Sequence, residues 1–94
     1  MSLYLVPTAQ DPQEFRTYSD LAEARAYAIR KMKESGRSTV HVYYLYGRYT
    51  RIAGNIRTRT ADGSSYLEWV DKRQFHEGDR ARLNADGTIR RSRS

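Results

Sequence analysis

The stretch IRTRTADGSSYLEW, residues 56–69, decides how this chain is folded. Asp62–Gly63 is a strong two-residue hairpin signal, because the favoured tight turn needs a positive φ at both central positions. Reflecting the flanks across that turn sets Ile56 opposite Trp69 and Thr58 opposite Leu67. It also sets Arg57 opposite Glu68 and Arg59 opposite Tyr66. One side of the pair is then apolar. The other carries an opposite-charge pair and an arginine–tyrosine pair, both of which stabilise neighbours on a pleated sheet.

Upstream, TVHVYYLYG (residues 39–47) alternates with period two, and Gly47 supplies the turn. With Leu45, Tyr46 and Gly47 as the loop, Val42 pairs with Thr50 and Val40 with Ile52. Tyr43 then faces Tyr49 and His41 faces Arg51 on the opposite side. Both hairpins assign the even residues of the middle strand to the core, and two turns agreeing is evidence for a meander.

SDLAEARAYAIRKMKESG (residues 19–36) has the helical period. Leu21, Ala24, Ala28 and Met32 recur at spacings of three and four, with Ala22 and Ile29 beside them. Ser19 is placed to cap the start, Asp20 suits the first turn, and Gly36 supplies a left-handed stop. The stripe is rich in alanine, so the helix can lie close to a sheet; it has too few large side chains to bind a membrane surface. Leu3–Val6 reads as a strand stopped by Pro7, and PTAQDPQEFRTY (residues 7–18) as a loop. DKRQFHEGD (residues 71–79) is loop-like. Two short apolar stubs flank Asn84–Gly87 and suit a small further hairpin.

The predicted fold class is α+β: one N-terminal helix on one face of an antiparallel β-meander, in the order β-α-β-β-β, with room for a short C-terminal hairpin. The expected core joins Val42, Ile52, Ile56, Leu67 and Trp69 to Leu21, Ala28 and Met32. Ninety-four residues suit a single domain, assigned to residues 1–89, with residues 90–94 as a flexible basic tail that can bury nothing. The opening MSLYLVP lacks a basic flank and is too short for a leader or a span, so a soluble cytoplasmic protein is expected.

Charge is distributed unevenly. Residues 1–36 carry five bases and five acids, whereas residues 37–94 carry twelve bases and six acids, so the whole +6 excess lies in the second part. Five arginines and no acid lie between Arg37 and Ala61. A zone of like charge repels itself and is relieved by an anionic partner.

Catalytic chemistry finds little purchase. There are no cysteines and only two histidines, His41 and His76. His76 with Glu77 and Asp79 matches no recognised ligand spacing, and no phosphate loop, dinucleotide fingerprint or serine-nucleophile elbow is present. No enzyme activity, metal or cofactor is expected.

The expected functional surface is therefore the sheet face opposite the helix, carrying Tyr43, Tyr49, Arg51, Asn55, Arg57, Arg59 and Tyr66, with Arg48 at the turn and Arg90, Arg91 and Arg93 in the tail. Arginine forks bind phosphate and tyrosine offers a ring to an unpaired base, so a nucleic-acid partner fits, a single strand included. The same residue types serve protein hot spots. The second reading is a protein-binding inhibitor or adaptor docking on a larger protein or ribonucleoprotein complex. It would be of the anti-CRISPR-like kind found among small phage and mobile-element proteins. Pairing of a sheet edge with a second copy would give a homodimer. No membrane partner is expected.

Overall fold

The computed structural model describes residues 3–10, 12–72 and 80–90. Its elements in chain order are β1 (Leu3–Gln10), β2 (Gln13–Tyr18), α1 (Leu21–Ser35), β3 (Thr39–Tyr46), β4 (Tyr49–Ala61), β5 (Ser64–Asp71), β6 (Arg80–Leu83) and β7 (Ile89–Arg90). The strands form one antiparallel seven-stranded sheet in the order β2-β1-β3-β4-β5-β6-β7, with α1 on one face. The α+β class and the C-terminal hairpin are as the sequence predicts.

One strand more than expected lies near the N-terminus. Residues 7–10 belong to β1 and residues 13–18 form β2, where the sequence reads as a loop. Pro7 does not prevent this. Among the described residues, backbone pairing of β1 with β3 covers Leu3–Leu5, so by Pro7 the strand has β2 alone beside it, and Thr8 bulges out between Pro7 and Ala9. A residue without an N–H is tolerated where one side of the strand has no ladder.

The cap of α1 is Asp20, not Ser19: its Oδ1 accepts a hydrogen bond from Ala22 N at 3.0 Å. Gly36 ends the helix with φ 70°, its N–H bonded to Met32 O. The buried stripe of α1 is Ala24, Arg25, Ala28, Ile29 and Met32. It packs on Tyr4, Val6, Val40, Val42, Ala53, Ile56 and Trp69, with Leu21 and Leu67 at the margin. Among the described residues no helix is long and apolar enough to cross a membrane.

The β4–β5 hairpin has the predicted register, from Ile56↔Trp69 to Arg59↔Tyr66. Asp62 and Gly63 both take positive φ, 54° and 76°. The β3–β4 hairpin does not have its predicted register. Its loop is the two residues Gly47–Arg48, and Tyr46 pairs with Tyr49. Deeper in, Val42 pairs with Gly54 and Val40 with Ile56, and Ala53 is the extra residue that reconciles the two halves. The cause lies on the neighbouring strand. The Trp69 ring rests on Gly54, where a Cβ would overlap Cζ2 and lie 2.5 Å from both Cη2 and Val70 O. Only glycine admits the ring there, so the register of β4 is set by β5, and the bulge absorbs the mismatch with the tight turn.

Ala53 therefore reverses the side-chain parity along β4. Ala53 is buried in the core, while Ile52, expected there, is 38 % exposed.

Candidate nucleic-acid interface

Beyond the bulge, alternation along β4 puts Asn55, Arg57 and Arg59 on the side of the sheet away from α1. Cross-strand pairing adds Tyr66, Glu68 and Val70 from β5, Arg80 and Arg82 from β6, and Arg90 from β7. Glu68 is buried at the centre. Arg59 Nε lies 3.5 Å from its Oε2 and Arg80 Nε 3.9 Å from its Oε1, while the two arginine side chains remain 42 % and 61 % exposed. The Arg82 guanidinium stacks 4.3 Å from the centre of the Tyr66 ring. Arg57 donates through Nε to Asn55 Oδ1 at 3.1 Å.

These contacts revise the expected pairings. Arg57 and Glu68 are cross-strand partners, yet the ion pair runs diagonally from Arg59, and the arginine on Tyr66 is Arg82, not Arg59. Arg59 and Arg80 are half-exposed but the carboxylate is buried, so without them Glu68 would be a buried charge lacking a partner. The further consequence of these pairs is positional: Arg59 and Arg80 flank one carboxylate, whose Oε1 makes no hydrogen bond, and Arg57 and Arg82 lie beside them. Among the described residues, four arginines stand against one carboxylate here, with Arg90 next to Arg82.

Asn55 was expected on the surface and is buried, facing His41 across β3. The Nδ2 of Asn55 and the Nδ1 of His41 have no hydrogen-bond partner. Burial lowers the pKa of His41 from its usual value, and the charges of Lys72 and Arg57 lower it further, so the ring is neutral at pH 7. His41 also lines a cleft of about 340 Å³ opened where β1 leaves β3, with Thr8, Lys31, Arg37, Thr39 and Tyr43 around it.

Tyr43 lies on this side too, but in an apolar strip. Its ring meets Phe15 edge-on at 5.7 Å, and its cross-strand neighbours are Leu5 and Ile52. Tyr49 and Arg51 do not join it. The parity change at Ala53 sends them to the side that carries α1, where Arg51 stacks 5.4 Å from the Tyr46 ring. Arg48 is exposed in the turn. The single face expected from the sequence is thus two surfaces: an arginine field on β4–β7 and a tyrosine–arginine hairpin end. Arg91 and Arg93 lie outside the described residues. Arg90, assigned to the tail, pairs with Arg82 in β7.

Arg80 and Arg82 are not among the expected site residues, because a four-residue strand after a polar stretch of sequence has too little pattern to assign a face. Arg25 was missed as well. It sits on the apolar stripe of α1, with its guanidinium 5.4 Å from the Trp69 ring centre and Nε donating to Gly87 O at 3.1 Å. Its position four residues from Leu21 and three from Ala28 is the available signal. Among the described residues no cluster of three or more His, Asp or Glu side chains could hold a metal ion; His76, Glu77 and Asp79 lie outside them. No protein-family model matches the chain, and no curated protein or solved structure matches it either.

Proposed function

We propose that this protein is a non-enzymatic nucleic-acid-binding protein whose contact surface is the arginine field on the side of the sheet opposite α1. The observation that supports this reading is the gathering of Arg57, Arg59, Arg80 and Arg82 around the single carboxylate of Glu68, with Tyr66 stacked on Arg82. Guanidinium groups held by an ion pair and by a ring lose less side-chain freedom on meeting phosphate than free ones do. The partners of Arg57, Arg59 and Arg82 all lie within the sheet, so the field is a rigid platform.

Fluorescence anisotropy of a labelled oligonucleotide at several salt concentrations tests it. With Arg59, Arg80, Arg82 and Arg90 on phosphates of a duplex, log K falls with log salt at a slope of about −3.6, or roughly 100-fold between 50 and 200 mM. The double variant Arg82→Ala/Arg90→Ala leaves the Glu68 pairs with Arg59 and Arg80 in place, and is expected to fold and to bind more weakly. Absence of binding to any oligonucleotide at low salt would refute the proposal. It would favour the second reading, a protein-binding inhibitor or adaptor, which the apolar strip of exposed Phe15 and Ile52 around half-buried Tyr43 supports.

A further inference from the structure

Every residue from Tyr46 to Ile52 is exposed. This holds on both sides of the ribbon, since Tyr49 and Arg51 point to one side and Thr50 and Ile52 to the other. Pairing of β4 with β5 begins only at Gly54, and the described pairing of β1 with β3 ends at Leu3↔Leu45. The end of the β3–β4 hairpin is therefore a two-stranded arm reaching past its described neighbours. It carries Arg48 and Arg51 and no acid, and no Asp or Glu occurs between Arg37 and Ala61. The β1–β2 hairpin also presents an exposed strand, but that strand includes Glu14.

Dimensions narrow the partner. From Ile52 to Arg48 the arm extends about 13 Å, and its strands lie about 4.8 Å apart. The major groove of B-form DNA is about 12 Å wide and 8.5 Å deep and admits a two-stranded ribbon. The major groove of an A-form duplex is too narrow and deep for side chains to read. From Arg48 at the tip to Arg57 in the field is nine residues along the strand, about 30 Å, inside the roughly 34 Å of one duplex turn.

We propose that the Tyr46–Ile52 arm enters the major groove of duplex DNA while the arginine field holds the backbone of the same turn. This inference rests on the nucleic-acid reading and specifies its substrate. Arg48, at the tip, reaches base edges or the groove wall, while Arg51, on the side of the ribbon away from the field, keeps its guanidinium over Tyr46 and adds positive charge to the arm.

The test uses the full chain with a 20-base-pair DNA duplex, the RNA duplex of the same sequence and the DNA single strand. Dimethyl sulfate footprinting reports guanine N7, which lies in the major groove. The wild-type protein is expected to bind the DNA duplex most tightly and to protect N7 at saturation. The variant Arg48→Ala/Tyr49→Ala/Arg51→Ala alters only exposed side chains; it is expected to bind the DNA duplex about tenfold or more weakly and to leave N7 reactive. DNA bound at saturation with N7 fully reactive would overturn the arm proposal and leave the nucleic-acid reading intact; so would equal or tighter binding of RNA or of single strand. That footprint is read on the wild-type protein and does not depend on the variant folding. Failure to bind any of the three probes would remove the nucleic-acid reading and this inference with it.

Discussion

Gly54→Ala is the smallest change that probes what organises the sheet. A Cβ at position 54 would overlap Trp69 Cζ2 and stand 2.5 Å from Cη2 and from Val70 O, where ordinary contacts begin at 3.4 Å. The neighbours must retreat by nearly 1 Å. The Trp69 ring is 2 % exposed and has Arg25 on it, and Val70 O belongs to the backbone of the adjoining strand. Neither can move far in a close-packed interior, which puts the overpacking cost at about 3 kcal/mol. Alanine also restricts the unfolded chain, which offsets about 0.4–1 kcal/mol. The net loss is about 2 kcal/mol, out of a total stability of about 5–14 kcal/mol for a domain of this size. The melting temperature should fall by about 8–16 °C. Circular dichroism in urea and on heating measures both quantities. In a Trp69→Phe background the overlapping ring carbons are gone while Val70 O remains, so the cost of Gly54→Ala should drop by about 1 kcal/mol. A Gly54→Ala protein as stable as the wild type would refute the account of why β4 bulges at Ala53.

Two further outcomes concern the other side of Trp69 and the buried imidazole. Gly87 has φ 90° and packs on α1, where a Cβ would lie 2.5 Å from Ala26 N, so Gly87→Ala should cost about 2 kcal/mol and pull the β6–β7 turn off the helix. Arg25→Lys should cost a comparable amount by losing the planar stack on Trp69 and the bond to Gly87 O; because both changes break one contact, the double variant measured by urea unfolding should lose less than the sum. His41 has a folded pKa below its usual 6.5, so below that pH the unfolded chain binds a proton that the folded protein refuses. Its contribution is complete above pH 6.5 and is lost as pH falls from there toward the folded pKa, and His41→Gln should flatten the decline of the urea midpoint over that window. A variant with the same pH profile as the wild type would show that His41 is not held neutral.

The sequence by itself determined the elements whose causes are local. The Asp62–Gly63 turn dictates the register of β4 and β5 because both positions accept a positive φ, and the pairs from Ile56↔Trp69 to Arg59↔Tyr66 follow by counting. The stripe and Gly36 define α1, and the concentration of arginine after residue 37 is a property of composition. Tertiary structure decided where those arginines face. A bulge at Ala53 moves Tyr49 and Arg51 to one side of the sheet and leaves Arg57 and Arg59 on the other. It exists because Trp69, thirteen residues beyond Ile56, needs a glycine beneath its ring. The strand at residues 13–18 is likewise not legible, since an edge strand exposed along most of its length carries no period-two pattern, and its backbone bonds to β1 and its ring contacts with Tyr43 and Tyr27 exist only in the folded sheet. Arg25 follows the same logic. A charge on an apolar stripe looks misplaced until the Trp69 ring and the Gly87 carbonyl, 44 and 62 residues away in sequence, arrive to receive it. Turn chemistry and caps act over four residues and can be read in order; side-chain parity depends on which neighbour arrives, and that is settled only when the strands meet.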